Sequence, residues 1–210
     1  KHDLAFNGQP VEILNKLSEE QGMLRQTMLF SGLEVCEHNI NRRQKDLKLF
    51  EFGKVYSKEG GSYQEEERLA LFMSGNFETE NWQVKPRKVT YFDLAQQVTN
   101  ILLKSNLTEI QQAKLEDPLF EYGMMLSKGK KTIGKIGKVK SAIAKDFGLK
   151  QEIFYADLST ALLFKSANPK LVIEEVPKYP EVRRDLSLVL DRHVTFAEIK
   201  DLVLATERKL

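Results

Sequence analysis

The chain has 210 residues, of which 41% are hydrophobic and 30% are charged, and its formal net charge is +2. A chain of this size and composition can bury a core without cross-links, and its single cysteine, Cys36, excludes an internal disulfide framework. It contains no apolar run of the ~18 residues needed to span a membrane, and its first residues lack the apolar stretch of a signal peptide. We therefore expect a cytoplasmic protein.

The first predicted elements are a short strand and an amphipathic helix. Residues 10–14 predict the strand, and Ser18 followed by Gln21 is typical of a helix N-cap. Gly32 predicts a break between a short helix and a longer one. The apolar residues with helical spacing are Leu29, Leu33, Cys36 and Ile40.

Two strands and a second helix follow. Residues 47–56 and 68–74 are rich in aromatic and apolar side chains and predict neighbouring strands. Residues 57–67 contain two glycines and several glutamates, which predict a long hairpin loop. Apolar residues at helical spacing predict a helix over 91–103.

The next part of the sequence repeats the mixture of hairpins and short helices. Residues 124–127 and 132–139 predict a second hairpin. A short helix over 141–147, a strand over 153–158 and a brief helix capped by Ser159 follow. Hairpins mixed with helices, without regular alternation, indicate an antiparallel α+β fold.

The sequence changes character near its C-terminal end. Residues 168–180 contain three prolines, and we place a domain boundary near Val176, which gives domains 1–176 and 177–210. A strand over 184–190 and a helix capped by Thr195 are predicted after it. One strand and one helix cannot form a domain alone, so we expect the chain to be part of a longer protein.

The charges are unevenly distributed. Residues 128–150 contain eight lysines and one acidic residue, Asp146, whereas residues 59–67 are acidic. Lysines in this pattern are typical of a protected sheet edge. The same lysines can steer a polyanion, so a stand-alone RNA-binding module is the alternative interpretation.

No motif for metal binding or catalysis is found. The three histidines, His2, His38 and His193, are far apart and lack metal-ligand spacing. Cys36 shares a helical face with apolar residues, which favours a position in the core. Residues 134–137 match the GXXG pattern of KH domains, but strand-like residues flank them and KH domains need helices there.

Three blocks of the sequence together resemble one family. The first extends from Leu17 to Leu33, the second from Asn39 to Tyr56, and the third from Lys178 to Val189. In this order and spacing, they resemble the phenylalanyl-tRNA synthetase β chain family over nearly the whole chain. The sequence departs from the family at Lys16, where a proline is usual, and at Phe30-Ser31, where Leu-Pro is common.

The resemblance implies a fold, partners and cofactors. The expected fold is an antiparallel sheet flanked by helices, like that of class II aminoacyl-tRNA synthetases, followed by the truncated start of a ferredoxin-like anticodon-binding domain. The expected partners are the α subunit, in an α2β2 tetramer, and tRNA(Phe). The family also implies that this domain is catalytically silent, and that the whole ligase, through its α subunit, uses ATP and magnesium.

The sequence itself supports catalytic silence. Class II catalysis uses fixed arginines to hold the phosphates of ATP, because guanidinium makes planar, bidentate contacts with phosphate oxygens. The first such arginine is replaced by Ser57, and residues 154–163, where the second is expected, contain neither arginine nor glycine. A catalytic class II ligase is therefore a disfavoured alternative, and this chain alone is predicted to be inactive.

Seven polar residues are the predicted sites. The resemblance implies that the helical segment 32–43 faces the α subunit. Because this interface is exposed in the isolated chain, we also expect the isolated chain to self-associate. The residues predicted to make interfacial or structural polar contacts are Arg25, Asn39, Arg42, Arg43 and Glu51. The candidate tRNA contacts are Arg183 and Arg184, although Arg184 with Asp185 also fits a structural pair. The basic residues near Arg42 equally fit a favourable charge at a helix C-terminus.

Overall fold

The structure is a computed structural model that describes residues 8–15, 22–78, 82–108, 110–166, 178–180 and 182–206. The chain divides into two compact units, Lys1–Lys170 and Leu171–Leu210. The boundary predicted near Val176 lies outside the described residues, as does the helix N-cap predicted at Ser18.

The first unit is built on one antiparallel sheet of six strands, in the order β1-β2-β6-β5-β4-β3. The antiparallel α+β architecture predicted from the sequence is confirmed. The strands are β1 Leu47–Glu59, β2 Ser62–Ser74, β3 Gln111–Lys114, β4 Phe120–Lys128, β5 Lys131–Val139 and β6 Ile153–Ser159. The helices of this unit are α1 Leu29–Asn41, α2 Tyr91–Lys104, α3 Ser141–Asp146 and α4 Thr160–Ser166.

Helices cover both faces of the sheet, so the core has two layers. On one face, α1 and α3 pack over Phe72 and Tyr155, and we call this the α1 face. On the other face, α2 and α4 pack over Leu71 and Phe154, and we call this the α2 face. Residues of β6 contribute to both layers, and the strand is buried along its whole length.

Helix α1 confirms the predicted amphipathic pattern but not the predicted break. Leu29, Leu33 and Cys36 are buried in the α1-face core, and the helix continues through Gly32 without interruption. A Cβ atom at Gly32 would lie 1.9 Å from Cζ of Phe72. The glycine therefore permits a close approach of the helix to the sheet.

The first hairpin is longer and tighter than predicted. Its strands were expected to be separated by a long loop over 57–67, which is wrong because β1 and β2 pair from Leu47 opposite Ser74 to Glu59 opposite Ser62. The connection is Gly60-Gly61, with φ values of 55° and 86°. Two residues with positive φ are what a type I′ turn requires. Because only these two residues form the turn, the exposed glutamates lie on the strands.

Several other elements agree with the sequence predictions. Helix α2 begins at a capping box in which Thr90 and Asp93 bond reciprocally. The second hairpin is present, and α3 ends before Gly148, which has φ of 72°. The amide of Leu162 donates to Oγ of Ser159 at 3.5 Å, which confirms Ser159 as the N-cap of α4. Strand β3 was not predicted.

The predicted strand over 10–14 is not a regular strand. Gln9 forms an isolated bridge with Lys58, and Glu12 forms one with Met23. These bridges fasten the N-terminal segment to the end of β1 and to the residues before α1, but they do not extend into a ladder.

The second unit contains helix α5, Phe196–Thr206. Thr195 caps it as predicted, since the amide of Glu198 donates to Oγ1 of Thr195 and the amide of Thr195 donates to Glu198. The strand predicted over 184–190 is wrong, because those residues form no ladder with any described residue. A strand requires a partner for its backbone groups. Across the described part of both units, no helix has the length and hydropathy to cross a membrane.

Candidate functional site

The segment before α1 is held to strand β1 by Arg25. Its carbonyl oxygen accepts a hydrogen bond from the amide of Tyr56 at 2.9 Å, and its Nε donates to the carbonyl oxygen of Lys54 at 2.9 Å. Its Nη1 lies 2.9 Å from Oε1 of Glu51 and 3.3 Å from Oγ of Ser31. One arginine therefore joins the start of α1 to three positions of β1.

The sheet leaves room for this guanidinium at Gly53. A Cβ atom there would lie 2.2 Å from Nη2 of Arg25. The side chains of Arg25 and Glu51 are 34% and 41% exposed, so their ion pair contributes at most about 1 kcal/mol. The role of this contact is to fix the position of α1 against the edge strand.

The structure separates the predicted interface residues into two groups. Arg25 and Glu51 are together, whereas Asn39, Arg42 and Arg43 lie at the other end of α1, about 15–20 Å away by helix length. Nδ2 of Asn39 donates to the carbonyl oxygen of Val35 at 2.8 Å, and Nη1 of Arg42 donates to that of His38 at 3.2 Å.

These contacts are those of a helix C-terminus. Arg43 has φ of 67°, and the amides of Arg42 and Arg43 donate to carbonyl oxygens of the last turn. The arrangement is an αL-type cap formed by a residue other than glycine. The basic side chains also complement the negative end of the helix dipole.

The candidate tRNA contacts lie in the second unit. Arg183 and Arg184 are exposed, within the irregular segment before α5. Since they belong to a different unit from Arg25 and Asn39, they form a separate candidate site.

A buried polar cluster on the α1 face was not predicted. Arg68 of β2 lies opposite Ser159, and its Nη1 is 3.8 Å from Oδ1 of Asp157. Asp157 and Tyr155 are almost completely buried on β6. The available sequence signal was an aspartate within a strand that is otherwise apolar, because such a residue needs a partner inside the fold.

Burial controls the protonation of this cluster. It raises the pKa of the Asp157 carboxyl, although the positive charges of Arg68 and Lys135 oppose the change. It also raises the pKa of the Tyr155 phenol well above its ordinary value. Arg68 also pairs with Glu66, so its guanidinium lies between two carboxylates. An arginine held in this way is poorly placed to receive a phosphate.

The predicted lysine-rich segment is partly neutralised by acids. Nζ of Lys135 is 2.7 Å from Oδ2 of Asp117. Nζ of Lys138 is 2.6 Å from Oε1 of Glu152 and 3.3 Å from Oε2 of Glu121. The hydrogen bond with Glu152 raises the pKa of Lys138. Both lysines act within the sheet, which reduces the charge available to a polyanion.

The positions used to predict catalytic silence lie on neighbouring parts of the sheet. Ser57 is near the end of β1, opposite Gln64. Residues 154–163 form β6 and the start of α4, and β6 pairs with β2. Ser57 and residues 154–159 therefore lie on the two strands that flank β2.

The other candidate chemical groups do not come together. Cys36 is buried in the core as predicted, and burial raises the pKa of its thiol to about 12. Among the residues that the structure describes, no three histidine, cysteine, aspartate or glutamate side chains could share a metal ion.

The outer edge of the sheet carries two exposed aromatic side chains. Phe50 and Phe52 of β1 are 70% and 61% exposed, and their ring centroids are 6.2 Å apart in an edge-to-face arrangement. They lie opposite Leu71 and Leu69, so they project from the α2 face. Exposed, contiguous aromatic surface at a sheet edge is characteristic of an interaction site.

A cleft of about 650 Å³ adjoins this edge, between the sheet and α2. Phe50, Leu71 and Ile101 contribute to its largely apolar lining, and Lys48 and Lys104 also line it. Nζ of Lys48 lies 4.2 Å from the ring centroid of Phe77 and donates to that residue's carbonyl oxygen. The cleft extends the apolar surface of the edge towards α2.

Comparison with known families gives one match that covers most of the chain. The family described as the phenylalanyl tRNA synthetase beta chain CLM domain matches residues 2–160. This range contains the complete six-stranded sheet.

Curated relatives have the same description. A phenylalanine–tRNA ligase beta subunit from Bacteroides thetaiotaomicron is 36% identical over 95% of this chain. Proteins of that name from Porphyromonas gingivalis and Fusobacterium nucleatum are 34% and 31% identical, over 95% and 98% of this chain. The chain spans 26% of the length of each of these relatives.

Solved structures share the fold at low sequence identity. A pyrrolysyl tRNA synthetase from Desulfitobacterium hafniense superposes with a TM-score of 0.55 and 13% identity, covering 75% of this chain and 53% of that one. A second structure of this synthetase gives 0.54 and 12% over 78% and 58%. The first unit therefore has the fold of class II tRNA synthetases.

Proposed function

The chain belongs to the phenylalanyl-tRNA synthetase β chain family, and from this premise we propose that it is a structural and partner-binding portion of the β subunit of phenylalanine–tRNA ligase. In this role it supports the ATP-dependent attachment of phenylalanine to tRNA(Phe) by the α subunit. The observation that carries the proposal is the family match over residues 2–160. The stand-alone RNA-binding alternative is not favoured by the comparisons.

The partner in this proposal is the α subunit, in an α2β2 heterotetramer. The surface offered to it is the helical segment 32–43, with Asn39, Arg42 and Arg43 at one end. Arg25 and Glu51 hold the other end of α1 against the sheet. The outer side of α1 is accessible, since Glu34 and His38 are exposed and Val35 is 46% exposed.

Co-expression with the α chain, followed by pull-down, tests this partner. We expect the parent chain to be retained, and Val35→Asp to lose at least tenfold in retention, because a charge would be buried at the contact. Phe92→Asp is the control, because Phe92 is 78% exposed on α2, away from α1. Equal retention of the parent and Val35→Asp would contradict the assignment of α1.

We further propose that this chain uses no cofactor of its own, and that ATP and magnesium are used by the assembled ligase. Three observations support this: Ser57 lacks a positive charge, residues 154–163 lack arginine, and Arg68 is already paired with Asp157 and Glu66. Without a free guanidinium, the charge of a triphosphate has no strong counter-charge on this part of the sheet.

Calorimetric titration with ATP and Mg²⁺ tests the absence of a nucleotide site. We expect no saturable heat from the chain alone, and saturable binding by the α-containing ligase under the same conditions. Saturable binding by the isolated chain at ~1 mM or below would contradict the proposal.

For the second unit, we propose that residues 177–210 begin a ferredoxin-like anticodon-binding domain, and that residues 1–176 form the catalytic-like domain. The resemblance of the segment from Lys178 to Val189 to the family supports this. Arg183 and Arg184 are the proposed tRNA contacts, as exposed arginines can bind phosphates.

The arginine contacts are tested in the assembled ligase. We expect the double variant Arg183→Ala, Arg184→Ala to raise the KM for tRNA severalfold and to leave phenylalanine-dependent ATP–pyrophosphate exchange unchanged. Lys200→Ala, on α5 of the same unit, is the control. An unchanged KM for tRNA in the double variant would favour a structural pair between Arg184 and Asp185.

The localisation that accompanies this function is cytoplasmic.

A further inference from the structure

Only some of the backbone amides and carbonyls on the outer edge of β1 have hydrogen-bond partners. The even-numbered residues of β1 direct their backbone groups away from β2, as the partners of Tyr56 and Lys58 show. The amide of Tyr56 bonds to the carbonyl of Arg25, and Lys58 exchanges two hydrogen bonds of 2.9 Å with Gln9. The carbonyl of Lys54 accepts from the side chain of Arg25. The edge is thus closed from Lys54 to Lys58.

The remainder of the edge is open. Within the described residues, the outward backbone groups at positions 48, 50 and 52 have no hydrogen-bond partner. These three residues are consecutive outward positions, and the middle one is Phe50. An exposed row of unpaired amides and carbonyls is a template for another strand.

We propose that this edge pairs with the same edge of a second copy of the chain, antiparallel, about a two-fold axis at Phe50. The axis places Phe50 opposite Phe50 of the second copy and Lys48 opposite Phe52. Residues whose backbone groups face the partner form hydrogen-bonded pairs, so the open groups at the three positions satisfy one another across the axis. The result is one continuous sheet through both copies.

Charge and packing are compatible with this arrangement. On the α2 face, the aromatic pairs Phe50 and Phe52 of the two copies become neighbours, which reduces their exposure. On the α1 face, Glu51 lies opposite Leu49 of the second copy, and Glu51 keeps its pairing with Arg25. No two like charges are directly opposed, and a two-fold axis makes the interface self-complementary.

Neighbouring registers are less favourable. Moving the axis to Phe52 would place Phe50 opposite Lys54, whose carbonyl already accepts from Arg25. Moving it to Lys48 would oppose two lysines and leave Phe52 beyond the paired region. The open groups are symmetric about Phe50 alone, which is why the second copy is the occupant we favour over an unrelated strand.

Cysteine cross-linking tests the register directly. Residues in a hydrogen-bonded antiparallel pair have Cα atoms ~5.5 Å apart, which is within disulfide range. We expect Phe50→Cys to form covalent dimers on mild oxidation. Lys48→Cys and Phe52→Cys should not form them singly. In each of these variants, the axis at Phe50 leaves the new cysteines of the two copies four residues, or ~14 Å, apart along the strands. The double variant Lys48→Cys, Phe52→Cys should form them. Cys36 is buried and stays in place.

Sedimentation equilibrium tests the association without cross-linking and without the α chain. We expect a concentration-dependent dimer for the parent, and at least a tenfold weaker association for Phe50→Lys. Phe92→Lys should associate like the parent, as Phe92 is equally exposed but lies on α2.

Three results would overturn the proposal. A parent chain that remains monomeric at ~1 mM has no such interface. Equal cross-linking of Phe50→Cys and Lys48→Cys excludes the two-fold axis at Phe50. If the chain is monomeric and Phe50→Lys is no longer retained by the α chain, the edge binds the α chain and not a second copy. The retention test on Val35 is independent, so failure here leaves the proposed function in place.

Discussion

Gly32 lies at a close approach of α1 to the sheet. In the sequence it predicts a helix break, yet the helix continues, because what the glycine provides is the absence of a Cβ atom above the ring of Phe72. Periodicity in a single sequence identifies which face of a helix is buried, but not how near the opposing side chain lies. A large partner on another strand cannot be inferred from local residues.

Replacing Gly32 with alanine is expected to destabilise the fold by about 1–3 kcal/mol, because the new methyl group would overlap Phe72. Helix propensity alone predicts the opposite, a gain of up to ~1 kcal/mol. The free energy of unfolding in urea measures the difference.

Two further variants isolate the contact with Phe72. Glu34→Ala, at an exposed position of α1, should change stability by no more than ~0.5 kcal/mol. The double variant Gly32→Ala, Phe72→Leu should lose less than the sum of its single changes, since leucine frees space for the methyl. A stable Gly32→Ala would mean that the helix and sheet separate at little cost.

Cys36 gives a second prediction at this scale. Burial raises the pKa of its thiol to about 12, and the thiolate is the reactive form. We expect no reaction with a colourimetric disulfide reagent at pH 8 in the folded chain, and one equivalent after denaturation. Val35→Cys, one residue away and exposed in the parent, should react at once. Rapid reaction of native Cys36 would show that α1 opens readily.

At the scale of elements, the sequence predicted which helices and strands form better than it predicted where they begin and end. The hairpin of β1 and β2 was predicted too short, since the exposed glutamates from Glu65 to Glu67 have the composition of a loop. Their strand conformation is imposed by pairing with β1, which is tertiary context. The missed strand β3 is short and exposed, and it depends on β4 in the same way.

The capping box of α2 is the clearest electrostatic feature of an element. Arg87 forms two hydrogen bonds with the Asp93 carboxylate, of 2.7 and 2.8 Å, and Thr90 donates to it as well. The hydrogen bonds from Arg87 hold the pKa of Asp93 well below its ordinary value. Because the folded pKa is depressed, the stabilisation is complete above the unfolded value of ~3.9 and is lost as the pH falls towards the folded value.

Asp93→Asn is therefore expected to lower the free energy of unfolding by about 1 kcal/mol at pH 7. The difference from the parent should shrink below pH ~4, where the parent also loses this contribution. Thermal unfolding between pH 3 and 7 measures both effects. Glu116→Gln, an exposed carboxylate of the same unit, should show neither. A penalty that is constant with pH would exclude the ionised cap as its origin.

The order of the sheet belongs to the scale of the whole molecule. Hairpins are local and could be predicted, whereas the insertion of β6 between β2 and β5 pairs residues that are about 85 positions apart, such as Leu71 and Ala156. Single-sequence patterns carry no information about such non-local pairing. The buried pair of Arg68 and Asp157 could not be predicted for the same reason, because it forms only when β6 lies beside β2.

The two compact units give a prediction at this scale. Among described residues, the last members of the two core clusters are Tyr155 and Leu163, and α5 has no buried residue. We expect a chain that ends at Lys170 to unfold within ~2 °C of the full chain. Ending the chain at Gln151, which removes β6 and α4, should abolish cooperative unfolding. A large loss of stability at Lys170 would show that the C-terminal unit supports the first one.

The central position of β6 also bears on how a ribosome delivers this protein. Synthesis proceeds from the N-terminus, so both hairpins leave the ribosome before the strand that joins them. During that interval, β2 and β5 each expose a strand edge with unpaired backbone groups to the solvent. Nascent chains stalled when the second hairpin has left the ribosome but β6 has not should bind a chaperone that shields extended backbone.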